Sequence, residues 1–156
     1  MAALSIRKRK MDIQLKNLQR RPLNLPQIKI IVSAVLRCLD IKNASLSFVF
    51  VTSPQIKSLN KRFLHRSYET DVLSFDLGGG VSKVLIGEII ISVDMAVKNA
   101  KVFDNDLNHE IVLYIIHGIL HLLGYDDHKP TDIKRMRVKE KEILQHLAGK
   151  INHILT

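Results

Sequence analysis

The feature that most constrains this chain is a stretch from Asp106 to Leu123 that is apolar nearly all round a helix yet carries two histidines, His117 and His121, in its apolar core from Ile111 onward. Leu107, Ile111, Val112, Leu113, Ile115, Ile116, Ile119, Leu120, Leu122 and Leu123 leave it no polar face. A helix of that kind belongs at the centre of a domain, and Gly124 can end it in the left-handed conformation. Its apolar core, Ile111 to Leu123, is too short and too polar to cross a bilayer. His117 and His121 are four residues apart, so both imidazoles project from one face, a turn from each other. Buried ring nitrogens need partners. The turn that follows, Gly124-Tyr125-Asp126-Asp127-His128, can fold a third ligand back toward the pair. Three such ligands with one open position describe a catalytic zinc site rather than a closed structural one. Gly118 stands where an H-E-x-x-H metalloprotease keeps its general base, which removes the central residue of a peptidase. Glu110, two turns before His117, is a candidate to orient a ligand, or simply a first-turn acid favoured by the helix dipole.

The rest of the chain reads as one α+β domain. At 156 residues it suits a single core. A helical stripe runs through Ile28, Ile31, Val32, Val35, Leu36 and Leu39, with Cys38 beside it. Leu46, Phe48 and Phe50 alternate as a strand, and Ser53-Pro54 opens a short helix with Ile56, Leu59 and Phe63 expected inward. Residues 64–71 read as a loop, Val72 to Phe75 as a brief strand and Gly78-Gly79-Gly80 as a turn. Val84 to Val93 reads as a long strand whose Gly87 marks a bulge or a close backbone approach. Helices are expected over about Asp94–Val102 and Thr131–Leu147. The expected architecture is a mixed sheet packed by helices on one side, with the histidine helix buried at its centre. Residues 1–22 are expected to be a basic, loosely ordered arm, and 23–156 the domain.

Charge and cysteine content narrow the setting. Lys and Arg number 24 against 15 acids, a net charge of +9. The excess sits at the ends: residues 1–29 carry eight basic side chains and one acid, residues 129–156 seven and three. A small basic domain of this kind suits a polyanion, held in a salt-sensitive way. The lone Cys38 cannot form an intrachain disulfide, which fits a reducing cytosol and a cytoplasmic protein.

His117-Gly118-Ile119-Leu120-His121-Leu122-Leu123-Gly124-Tyr125-Asp126 followed by His128 resembles the signature of the YbeY family of metal-dependent endoribonucleases. Leu59-Asn60, Thr70-Asp71-Val72-Leu73-Ser74-Phe75 and Ile86-Gly87-Glu88-Ile89 resemble further family stretches, in the same order over about 28–148. The resemblance implies an α+β fold with a mixed sheet and one zinc-type ion on three histidines. It also implies single-strand-specific cleavage of RNA in the maturation of small-subunit ribosomal RNA, notably its 3′ end, and in ribosome quality control. The partners implied are ribosomal RNA and the small ribosomal subunit, with no membrane.

Two departures matter. Asp127 stands at the family's third-ligand offset and His128 one residue later; both can bind zinc, and His128 is the expected ligand because a turn absorbs one residue easily. The family's loop arginine aligns with Leu64, so Arg66, or Arg62 two residues before Leu64, would take over its RNA-phosphate role. Glu88 replaces the family's Asp. The expected assignment is therefore His117, His121 and His128 on Zn2+, Arg66 with His117 and His121 in catalysis, and Arg62 and Arg66 on RNA. Metal-assisted phosphodiester cleavage is the expected chemistry, with Arg66 neutralising charge that develops on phosphorus. The competing readings are a zinc hydrolase of another substrate class and a non-enzymatic RNA- or ribosome-binding module with a structural metal.

Overall fold

The computed structural model describes residues 10–78 and 83–155. Its first element arises where charge conceals a period of two. In Lys10–Asn17 (β1), Met11, Ile13 and Leu15 face the core while Lys10, Asp12, Gln14 and Lys16 face water. The loose arm expected over 1–22 is therefore, from Lys10 onward, the edge strand of the sheet; residues 1–9 lie outside the described residues.

β1 is followed by α1 (Leu25–Cys38), capped by the Asn24 side chain and with Pro26 in its first turn. β2 (Asn43–Val51) then pairs in parallel with β1, so the chain opens with a strand–helix–strand crossover. α2 (Ser53–Leu64) starts at a capping box in which Thr52 and Gln55 satisfy each other's backbone N–H groups. β3 (Val72–Asp76) and β4 (Leu85–Ser92) form an antiparallel pair, and β4 lies parallel to β2. The sheet order is β1-β2-β4-β3, a mixed sheet as expected. α3 (Val93–Val102), α4 (Leu107–Leu122) and α5 (Pro130–Leu147) complete the domain. Of the Gly78-Gly79-Gly80 turn, Gly79 and Gly80 lie outside the described residues.

The two faces of the sheet bury different clusters. Ala44, Leu46, Phe48, Phe50, Ile89 and Ile91 meet α1 and α4 in the main core. The alternate residues Val51, Leu73 and Ile90 meet Ile56 of α2 on the opposite face. Helices therefore cover both faces, which corrects the one-sided packing: α2 needs a greasy seat, and the outward residues of β2, β3 and β4 provide it. Phe63, expected inward, is 54% exposed. The last turn of α2 leaves Phe63 an edge-on contact with Phe75, at 5.8 Å between ring centres, rather than a place in the core.

α4 is buried as its composition requires, and it touches β3, β4, α1, α3 and α5. Two glycines set its distance from the sheet. A Cβ on Gly87 would stand 2.6 Å from a methyl of Leu122 and 3.0 Å from the Phe75 carbonyl, so Gly87 marks a close approach. A Cβ on Gly118 would stand 2.6 Å from the Ile89 Cγ2. The Ser74 hydroxyl, which donates to the Gly118 carbonyl at 3.0 Å, ties the helix to β3 at the same place.

Candidate metal centre

The site forms where α4 ends. Gly124, at φ +93°, reverses the chain; its N–H donates to the His121 carbonyl and that of Tyr125 to the Leu120 carbonyl, a paired-bond terminator that needs a left-handed residue. The reversal carries Asp127 back over the last turn. Its Oδ2 lies 3.4 Å from His121 Nε2 and 3.6 Å from His117 Nε2, and the two Nε2 atoms are 2.9 Å apart. Two ligand atoms each ~2.1 Å from a tetrahedral ion lie about 3.4 Å apart. The three separations bracket that value, so the donor set fits one divalent cation.

The structure brings His117 and His121 together as the spacing requires, and brings Asp127, not His128, to them. The His128 ring is 70% exposed and faces the Asp126 carboxylate, 3.4 Å away. The path of the turn brings Asp127 over the pair and puts His128 one step past it. His128 still lines the cleft above the site.

Glu140, on α5, was not foreseen. Its Oε1 accepts a 3.0 Å hydrogen bond from His117 Nδ1, which directs the Nε2 lone pair toward Asp127 and His121. One signal was present: Met136, Ile143 and Leu147 form the buried stripe of α5, and Glu140 is the acid on that stripe. Burial disfavours the charged His117 ring. The hydrogen bond and charge of Glu140, with the charges of Asp71 and Asp127, outweigh burial and hold its pKa above the usual histidine value. Glu110 takes no such part; it is buried at 3% exposure, and its carboxylate accepts from Asn105 Nδ2 at 2.8 Å.

Two clefts meet at His117 and Asp127. One, of about 710 Å³, is walled by the α2–β3 loop and contains Arg66, Tyr68, His121 and His128. The loop is held by buried Asn60, whose side-chain amide donates to the Tyr68 carbonyl and whose own carbonyl accepts from the Arg66 N–H. The Arg66 guanidinium donates to the Tyr68 hydroxyl at 3.1 Å. Arg62 does not reach this cleft; its guanidinium stacks over the Phe63 ring at 5.3 Å. The second cleft, of about 510 Å³, lies between α3, α4 and α5. Among its walls is Tyr114, whose hydroxyl accepts from Asn99, and burial pushes that phenol well above its ordinary range.

An α+β domain that gathers two imidazoles and a carboxylate where two clefts meet has a site that could hold a divalent ion, the arrangement metal-dependent hydrolases use. Known proteins narrow the class. The pattern of the family described as endoribonuclease YbeY matches residues 9–148. An endoribonuclease YbeY of Syntrophus aciditrophicus is 36% identical over 146 residues, covering 89% of this chain and 91% of the relative. One of Chlorobium phaeovibrioides is 34% identical, covering 91% and 95%. The solution structure of a Thermotoga maritima protein superposes with a TM-score of 0.64 at 26% identity, covering 88% of this chain and 90% of that one. The chain belongs to the YbeY endoribonuclease family. Among the described residues no helix is long and apolar enough to cross a membrane.

Proposed function

We propose that this chain is a cytoplasmic, zinc-dependent endoribonuclease that cuts single-stranded RNA in ribosomal RNA maturation, at the 3′ end of small-subunit RNA and in ribosome quality control. The observation that carries the reading is the convergence of His117, His121 and Asp127 in a cleft that also holds Arg66. We assign the ion to those three side chains, with His128 outside the ligand set. When bound, such an ion supplies Lewis-acid polarisation of a phosphoryl oxygen.

The chain's own residues do the rest. Glu140 holds the Nδ1 proton of His117, so that Nε2 presents a lone pair. Arg66, braced on Tyr68, places a fixed positive charge in the cleft, where it would bind the phosphate and offset charge developing in the transition state. The basic face of α5, with Lys134, Arg135 and Arg137, would hold flanking backbone by charge. The peptidase alternative fails on packing as well as on identity: a side chain at Gly118 would collide with Ile89.

His117→Ala should abolish cleavage of a single-stranded oligoribonucleotide while the thermal transition remains cooperative; a structural-metal module would instead lose its fold. Elemental analysis then tests the ligands. Asp127→Ala should lose the bound metal and His128→Ala should retain it. The reverse pattern would transfer the third position to His128.

A further inference from the structure

The second cleft shares Asp71, His117 and Asp127 with the first and is lined by Glu140, but its remaining walls have no part in the chemistry above. Its charge is unlike that of the Arg66 side. Apart from Asp127, whose charge the assigned ion would offset, and Glu140, which is paired with His117, the acids Asp71 and Glu110 line it against the single cation Arg137. A backbone phosphate would be repelled there, whereas a neutral group bearing N–H donors would be attracted. At its edge stands Phe103, 66% exposed, on a turn that cannot drift. The Phe103 N–H donates to the Asn99 carbonyl and that of Asn105 to the Ala100 carbonyl, both at 2.9 Å. The same turn holds the Asn105 amide on the Glu110 carboxylate. An exposed ring on a backbone-anchored turn, lining the same cleft as a buried carboxylate and an amide, provides a stacking face and a hydrogen-bonding edge.

We propose that this cleft is a base-binding subsite, in which a nucleotide flanking the scissile phosphate stacks on Phe103 and presents an exocyclic amino group to Glu110 and Asn105. The inference rests on the endoribonuclease reading and adds to it a preference: cytosine, adenine or guanine over uracil at that position. Uracil has no amino group and would turn carbonyl oxygens toward the carboxylates. The strand would then cross the metal residues, its phosphate on the Arg66 side and its base on the Phe103 side.

The test uses the full chain and short single-stranded oligoribonucleotides that differ at one position, C against U. Cleavage and fluorescence anisotropy are both measured, the latter also on the chelator-treated protein. Cleavage next to C should exceed cleavage next to U by about tenfold, and anisotropy should show the same order. Phe103→Ala, a change at an exposed position, should raise KM and the dissociation constant about tenfold on the C oligonucleotide. Its effect on kcat should be much smaller. Glu110→Gln should narrow the C-to-U ratio; should its melt show a damaged fold, Phe103→Ala and the paired oligonucleotides decide alone. Equal binding and cleavage of C and U, with Phe103→Ala matching the parent, would overturn the subsite and leave the endoribonuclease standing. Discrimination in binding without any cleavage would support the subsite while sinking the nuclease.

Discussion

At the scale of single residues, the centre depends on what holds His117 as much as on the donors themselves. Glu140 accepts from Nδ1 and touches no other donor of the set. Glu140→Gln should therefore weaken zinc retention by roughly 10- to 100-fold, measured by competition with a chromogenic chelator, with all three donors still present. Gly118 makes a different demand. Ile89 is a fully buried, β-branched strand residue and cannot swing aside from a Cβ at 2.6 Å. Gly118→Ala should cost about 1–3 kcal/mol in a denaturant melt. The histidine pair was legible in the sequence because spacing alone puts i and i+4 on one helical face. The proposed third donor was not, since a turn with both Asp127 and His128 leaves the choice to backbone geometry. Arg66 could be placed in a loop, but only the fold shows that the loop walls the cleft, with Arg62 drawn off onto Phe63.

Between elements, the His117–Glu140 contact joins α4 to α5 and gives the metal-free protein a definite pH response. The folded-state pKa of His117 lies above the ordinary value of about 6.5. Its contribution is fully present below the unfolded-state pKa and is lost as pH rises through the folded one. The thermal midpoint of chelator-treated protein should thus fall across that window, and Glu140→Gln should flatten the slope. Metal-loaded protein should respond in the opposite sense, because protons compete with the ion for the imidazoles. Scanning calorimetry at pH 6 and pH 8, with and without chelator, separates the two slopes. Most elements were readable from period: α1 and α4 from their apolar faces, β2 and β4 from β-branched and aromatic alternation. β1 was missed because an edge strand keeps one face in water. Its charged outward residues then dominate a composition count, although Met11, Ile13 and Leu15 carry the two-residue period.

For the molecule as a whole, that strand means the basic N-terminal region is partly structural. Ile13 is only 5% exposed and pairs with Leu46 in the sheet register. Ile13→Ala should destabilise the protein by about 2–4 kcal/mol, read from the denaturation midpoint, with little change in metal content at room temperature. A solvated arm would show no loss. The fold also distributes the centre unevenly along the chain. The histidines and Asp127 lie within eleven residues of one another, whereas the carboxylate that orients His117 comes from the following helix, 23 residues beyond it. A polypeptide still emerging from the ribosome therefore owns every donor before it owns the group that aims them. On the proposed ligand set, productive capture of the ion would wait until α5 has cleared the exit tunnel and closed over α4.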